Sequence, residues 1–136
     1  MVPGNKYYVR AVFYYGKYDG LNKPPVFDLY VEGNYWHEVQ ISDVGAVSWM
    51  DIIVVAPADY LNVCLVNKGI GTPFIFGLDL RPLRTTLYPE VNASHLLMLF
   101  SSNRFNLGLL AETNSTEQIN CCLHLKAYNV KHFGIT

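Results

Sequence analysis

The 136-residue sequence has little charge, and it contains no long apolar run. Charged residues make up 15% of the chain and the formal net charge is -1, so no basic surface is available to displace counterions from phosphates. We therefore expect no nucleic-acid partner. No apolar run approaches the roughly 20 residues that cross a bilayer, so we expect no membrane span in this chain. Residues 1–5 lead directly into a strand-like segment, so we also expect no signal peptide.

Residues that would carry catalysis or bind a metal are also scarce. The three cysteines are odd in number; Cys121 and Cys122 are adjacent, and Cys64 stands in a strand-like run where we expect a small buried thiol. No His or Cys pair with ligand spacing has a second pair to complete a tetrahedron, so we expect neither a metal nor a cofactor. No nucleophile with a base, carboxylate pair or phosphate loop emerges, so we expect no enzymatic activity.

What the sequence does contain is an apolar fraction of 51% and ten tyrosines, and it is organised in alternating runs. Alternation of apolar and polar residues with period two is typical of a strand with one buried face. We expect the buried faces of the opening pair of strands to carry Tyr7, Val9, Ala11 and Phe13, then Phe27, Leu29 and Val31.

Further short strands follow, separated by turn residues. Gly33 and Asn34 predict a hairpin turn. The run 49–55 predicts a strand buried on both faces, residues 60–66 another strand, and residues 67–73 a loop. We expect one long strand with Phe74, Phe76, Leu78 and Leu80 on a single face.

The last part of the chain is harder to assign from its pattern. Residues 85–88 suggest one more short strand, and residues 95–100 fit either a strand or a helix. Helical periodicity is not evident over ten or more residues, so we expect an all-β sandwich or barrel.

The connection 16–25 between the first two strands is rich in tyrosine, glycine and proline, and we expect it to be ordered. Aromatic faces stack on sugar rings while Asp and Asn orient hydroxyls, but the same side chains equally suit a peptide partner. The candidate ligand-binding residues in and beside this connection are Tyr14, Tyr15, Tyr18, Asp19 and Asn22.

Two sequons match the acceptor pattern for N-glycosylation, at Asn92 and at Asn114. The modification applies only to a protein of the secretory pathway. We therefore treat Asn92 and Asn114 as candidate glycosylation sites.

Several blocks of this sequence occur in the same order and spacing as in a known family. The blocks are YVRA at 8–11, YGKYDGLN at 15–22, PPVFDLY at 24–30, YLNVCLVN at 60–67, GTPFI at 71–75 and LRPL at 80–83. The chain resembles the malectin-like domain of plant leucine-rich-repeat receptor-like kinases. The resemblance implies a jelly-roll-type β-sandwich, an extracellular glycosylated setting, and aromatic loop residues that bind carbohydrate. Tyr18 and Asp19 lie where malectin places an aromatic pair, which Tyr18 matches and Asp19 does not.

The resemblance covers residues 5–108, and residues 109–136 form a C-terminal tail without a match. Family members carry further strands before this region and a second module after it, so we expect an incomplete module with an exposed sheet edge. The implied function is an extracellular module that binds carbohydrate or cell-wall glycan. The alternatives are a peptide or co-receptor interaction module without a sugar site, and a truncated gene product without function.

Overall fold

The computed structural model describes residues 1–99, 104–108 and 119–126, and these residues form strands and connections without a helix. The strands build two antiparallel sheets, one in the order β6-β1-β4-β7-β8 and one in the order β3-β2-β5-β9. The predicted all-β sandwich is therefore confirmed, and the sheets formed by the described residues do not close into a barrel. The strands are β1 (Lys6–Tyr14), β2 (Val26–Val31), β3 (Asn34–Gln40), β4 (Val47–Val55), β5 (Tyr60–Ile70), β6 (Gly77–Pro82), β7 (His95–Leu99), β8 (Arg104–Gly108) and β9 (Ile119–Lys126).

The core lies between the sheets and follows the alternation read from the sequence. All seven apolar residues predicted to be buried in β1 and β2 are at most 5% exposed. Burying each large apolar side chain contributes roughly 1.5–3 kcal/mol, so this pattern holds the two sheets face to face. Trp36 and Val39 from β3 complete the same core.

The hairpin between β2 and β3 forms where predicted, although its turn lies one residue earlier. Glu32 and Gly33 have φ values of 48° and 74°, and Val31 pairs with Asn34. Positive φ at both central residues is the geometry whose twist matches that of the flanking strands. Asn34 thus belongs to β3 rather than to the turn.

The outer face of the first sheet is covered at one end by the connection between β6 and β7. Ile53 is fully buried there against Val91 and Leu97, which explains why the apolar run in β4 is buried on both faces as predicted. Nζ of Lys6 donates to the carbonyl oxygens of Leu87 (3.0 Å) and Tyr88 (2.7 Å) and holds this connection in place.

Two predictions about this connection and the strand after it are settled by the structure. The strand expected at 85–88 is wrong, because the backbone turns there and the amide of Leu87 donates to the carbonyl of Arg84 at 3.0 Å. The next segment, which fitted strand or helix, is the strand β7.

The region around β5 and β6 differs from the sequence prediction. The expected loop at 67–73 is a strand as far as Ile70, because a bulge between Val26 and Phe27 of β2 lets the pairing continue. The expected long strand is short, since β6 begins only at Gly77. As a result Phe74 packs on the core and Phe76 is 50% exposed, so they do not share a face.

Cys64 is not the free thiol that we expected, because it forms a disulfide bond. The remaining cysteines are Cys121 and Cys122, and the backbone register sets Cys64 opposite Cys122. Part of the segment predicted to be a tail, β9, therefore pairs with β5 at the edge of the second sheet.

Candidate functional site

The connection between β1 and β2 is anchored by a hydrogen bond between a core tyrosine and an aspartate. Tyr15 is fully buried, and its hydroxyl donates to Oδ1 of Asp19 at 2.5 Å. The same oxygen accepts the amide of Leu21 at 3.1 Å. These bonds favour the carboxylate, so the Tyr15 hydroxyl lowers the pKa of Asp19 while the Asp19 carboxylate raises the pKa of Tyr15.

Tyr18 lies at the rim of the sandwich above this anchor and is 52% exposed. Its hydroxyl donates to the carbonyl oxygen of Thr72 at 2.6 Å, which joins the β1–β2 connection to the β5–β6 connection. Its ring packs edge-on against Tyr15 and Phe74, with centroids 5.4 and 5.3 Å away. Burial raises the pKa of Tyr18. The ring is therefore fixed in position while half of its surface faces solvent.

Phe74 is the centre of the aromatic cluster beneath this rim. Its ring lies 6.1–6.4 Å from Phe13, Tyr15 and Phe27, in edge or tilted geometry. The two connections also touch through their backbones, because a Cβ on Gly71 would lie 2.8 Å from Cβ of Pro25. We call this part of the surface, formed by Tyr18, Asp19, Leu21, Asn22 and Thr72, the loop rim.

Asn22 and Leu21 lie at the tip of the β1–β2 connection. Asn22 is exposed and has a φ of 57°, a conformation that asparagine tolerates better than most residues. Leu21 is 65% exposed. Together they place one amide and one apolar side chain on the same connection as Tyr18.

Tyr14 does not join the loop rim. It lies at the end of β1 on the outer face of the first sheet, and its ring meets that of Phe76 edge-on at 5.7 Å. The structure thus brings together Tyr15, Tyr18 and Asp19 of the predicted set, with Tyr15 supporting the rim from the core.

An exposed aromatic surface that sequence reasoning missed extends from Tyr14 across the first sheet. We call it the Trp49 face. Its members are 38–54% exposed except for Val12, which is half-buried, and the register puts Tyr14 opposite Val47 and Val12 opposite Trp49. The alternation of Val47, Trp49 and Asp51 in β4 was the available signal. The Trp49 face consists of Val12, Tyr14, Val47, Trp49 and Phe76.

Charged residues border the Trp49 face on one side and are paired with one another. Arg10 donates Nε and Nη2 to the two carboxylate oxygens of Asp51, at 2.7 and 2.8 Å. The Arg10 guanidinium carbon lies 5.7 Å from the ring centroid of Tyr8 and 6.0 Å from that of Trp49. Burial, together with a hydrogen bond to Asp51, raises the pKa of Tyr8 to about 12.

A cleft of about 350 Å³ adjoins the Trp49 face where β4 runs past the end of β7. β4 pairs with β1 along one edge and with β7 through residues 51–53 along the other. On the β7 side, the first half of β4 therefore borders the cleft and no other strand of the described residues. Burial lowers the pKa of His37, which reaches the cleft from β3. The described residues that line it are His37, Val47, Ser48, Trp49, Met50, Asp51, Met98 and Leu99.

Comparison with known proteins identifies the family. The model of the malectin-like domain family matches residues 1–119. The chain belongs to the malectin-like domain family. A probable LRR receptor-like serine/threonine-protein kinase of Arabidopsis thaliana is 46% identical over 101 residues, which are 74% of this chain and 11% of the relative. A second such kinase of the same plant is 42% identical over 109 residues, which are 79% of this chain and 12% of that relative.

This malectin-like domain spans about a tenth of the length of the curated relatives that it matches. The matched part of those kinases is thus the malectin-like region alone. No solved structure matches the chain.

The first sequon of the malectin-like domain lies in a tight turn on the surface. Asn92 is exposed, and its Oδ1 accepts the amide of Ser94 at 2.8 Å and lies 3.1 Å from Nδ1 of His95. The second candidate, Asn114, lies outside the described residues.

Over the part of the chain that the structure describes, no helix is long and apolar enough to cross a membrane. The same residues form no group of three or more His, Cys, Asp or Glu side chains that could hold a metal ion.

Proposed function

We propose that this malectin-like domain is a non-enzymatic, extracellular ligand-binding module of a receptor-like kinase, and that it binds carbohydrate at the loop rim. The observation that carries the proposal is the Tyr18 ring, which is 52% exposed yet fixed by Thr72, Tyr15 and Phe74. A preorganised aromatic ring stacks on the C–H face of a sugar without the entropy cost of first ordering the side chain.

The polar groups on the same connection as Tyr18 complete the proposed carbohydrate site. Asn22 offers both a donor and an acceptor at the tip of the connection, which suits the paired hydroxyls of a sugar. Oδ1 of Asp19 is engaged by Tyr15 and Leu21, so the main role of Asp19 is to hold the Tyr18 loop in its shape. Tyr15 supports the site without touching the ligand, and Tyr14 lies apart on the Trp49 face.

The disulfide bond of Cys64 supports an extracellular setting, because disulfides persist in oxidising compartments and are rare in the cytosol. In that setting we propose that Asn92 carries a glycan. The chain secreted from plant cells should then lose mass on enzymatic deglycosylation. In Asn92→Gln this loss of mass should be smaller or absent. An unmodified Asn92 in secreted protein would refute this assignment.

The carbohydrate proposal is tested by glycan binding of the secreted chain and three single variants. Tyr18→Ala removes the ring and should weaken binding at least tenfold, which corresponds to about 1.4 kcal/mol. Tyr18→Phe keeps the ring and loses only the bond to Thr72, so it should retain most of the binding. Tyr35→Ala removes a ring of β3 that is 49% exposed and lies outside the loop rim, and it serves as the matched control.

The proposal fails if no glycan or glucose disaccharide binds the folded wild-type chain. It also fails if Tyr18→Ala binds as well as the wild type. If no glycan binds, and a peptide or co-receptor protein binds in a way that depends on Tyr18, the alternative of a protein-interaction module is favoured.

A further inference from the structure

The Trp49 face and the adjoining cleft form a second candidate site, separate from the loop rim. Phe74 and Phe76 show the separation, because Phe74 packs against Tyr18 while Phe76 packs against Tyr14 on the outer face of the sheet. An aromatic surface that stays exposed on one face of a sheet is a candidate interaction site.

The exposed rings are held in fixed positions rather than left mobile. Trp49 is 54% exposed and borders the cleft, and the Arg10 guanidinium lies 6.0 Å from its ring centroid. Arg10 is fixed in turn by its two bonds to Asp51. At the other side of the face, the rings of Phe76 and Tyr14 pack edge-on against each other.

The charges around this surface are already neutralised. Arg10 pairs with Asp51, and Arg81 holds Oδ2 of Asp79 through Nε (2.8 Å) and Nη2 (2.6 Å). Among the described side chains, these two arginines and two aspartates carry no net charge that would attract a charged partner. They do retain hydrogen-bonding capacity, since the side chains of Arg10 and Arg81 are 38% and 55% exposed. Such a surface suits an uncharged ligand rich in hydroxyl groups.

The size of the surface favours a small ligand over a folded protein. The connection between β6 and β7, which carries Val91, covers the other end of the sheet. Among the described residues, the open part therefore spans the three strands β6, β1 and β4 and runs from Arg10 to Tyr14. At the usual strand spacing and rise this amounts to roughly 10 by 13 Å between backbone positions. A stable protein interface needs about 800 Å² on each partner, which is several times this area. The adjoining cleft falls within the usual size of small-ligand pockets.

We infer that the Trp49 face and its cleft bind an uncharged oligosaccharide. One sugar ring stacks on Trp49, its neighbour contacts Tyr14 or Phe76, and hydroxyl groups meet Arg10, Asp51 and the polar residues of the cleft. The inference does not rest on the loop rim, since no residue is shared between the two sites.

The test measures binding of neutral glucan oligosaccharides of increasing length to the full chain by calorimetry. Trp49→Ala and Phe76→Ala should each weaken binding of the longer oligosaccharides about tenfold. Tyr18→Ala should leave this binding in place, even if it abolishes binding of a disaccharide at the loop rim. Tyr35→Ala is again the control on the opposite sheet.

Two variants keep the test conclusive if one of them fails to fold, since Phe76 lies outside the strands and its ring packs against that of Tyr14. Equal binding by the wild type, Trp49→Ala and Phe76→Ala would overturn the inference. The absence of oligosaccharide binding to the folded wild type would do so as well. Concentration-dependent dimerisation that Trp49→Ala abolishes would assign the face to a second copy, and capture of a proline-rich peptide without any sugar would assign it to a peptide.

Discussion

The hydroxyl of Tyr15 lies 2.5 Å from Oδ1 of Asp19 and donates a hydrogen bond to it, which links the buried core to the exposed loop rim. The bond joins residues that are four positions apart, so it closes the start of the β1–β2 connection on itself. The second carboxylate oxygen, Oδ2, is buried without a partner among the described residues. The negative charge of Asp19 is therefore stabilised by the hydrogen bonds that Tyr15 and the amide of Leu21 donate to Oδ1.

The first prediction follows from the lowered pKa of Asp19. A carboxylate whose pKa is lower in the folded state stabilises the fold above its unfolded pKa, near 3.9, and that contribution is lost as pH falls through the folded value. The unfolding free energy should therefore fall on acidification below about pH 4. In Tyr15→Phe this pH dependence should be smaller, as measured by denaturant unfolding across the acid range.

Tyr18→Phe is the control for this experiment, because it removes a hydroxyl that binds Thr72 rather than Asp19. It should keep the acid dependence of the wild type. If Tyr15→Phe keeps that dependence too, the bond does not set the pKa of Asp19.

The second prediction compares two phenylalanines that are two positions apart. Phe74 packs on the core, so Phe74→Ala should lower the unfolding free energy by about 2–3 kcal/mol, somewhat less than for a fully buried ring. Phe76 is 50% exposed, so Phe76→Ala should cost less than about 1 kcal/mol. Thermal and denaturant unfolding of both variants measures the two losses of unfolding free energy. Equal losses would contradict the placement of Phe74 on the core and of Phe76 on the surface.

Phe74 and Phe76 also show which features of the fold a local sequence pattern does not predict. In β1 the alternation of apolar residues predicted the buried face, because local pattern and tertiary packing agree there. The pattern in 74–80 looked equally regular, but β6 begins only at Gly77, where pairing with β1 begins at Val12. That choice depends on the register with a distant strand, which a local pattern does not contain.

The candidate site could be predicted only in part, for the same reason. The composition of the β1–β2 connection pointed to Tyr18 and Asn22, which are exposed. It did not reveal that Tyr15 points into the core, or that Trp49 and Tyr14 lie on the same face of the paired strands β4 and β1. The disulfide of Cys64 was hidden too, since its partner lies more than fifty residues away in the sequence.

The third prediction concerns that disulfide bond. Three cysteines with one bonded pair leave one free thiol under non-reducing denaturing conditions, which a thiol titration will count. Reduction should destabilise the protein by about 2–5 kcal/mol. Because the register pairs Cys64 with Cys122, Cys122→Ser should abolish the bond and Cys121→Ser should keep it. The opposite result would place the bond at Cys121.

The fourth prediction concerns Tyr8, whose pKa is raised to about 12. The stabilisation from this shift is complete below the unfolded pKa near 10 and is lost as pH rises toward 12. Asp51→Asn removes one cause but not the burial, so the pKa of Tyr8, followed by NMR of its ring carbon, should fall only part of the way. Loss of the partly exposed pair with Arg10 should cost about 1 kcal/mol.

Asp79→Asn is the control for Tyr8, since the carboxylate of Asp79 pairs with Arg81 while Arg10 pairs with Asp51. It should leave the titration of Tyr8 unchanged. A Tyr8 pKa that does not respond to Asp51→Asn would show that burial alone produces the shift.

The fifth prediction tests the contact between the two connections at the loop rim. Gly71 and Gly33 share a φ of 74°, so alanine at either position carries the same backbone strain, about 1–2 kcal/mol. A Cβ at Gly33 meets no atom within 4 Å, whereas a Cβ at Gly71 meets Pro25 at 2.8 Å. Gly71→Ala should therefore destabilise more than Gly33→Ala. Gly71→Ala displaces the backbone that carries Thr72, the partner of Tyr18, so this substitution alone should also weaken sugar binding at the loop rim. Equal losses of stability and of sugar binding in both variants would mean that this contact does not hold the two connections together.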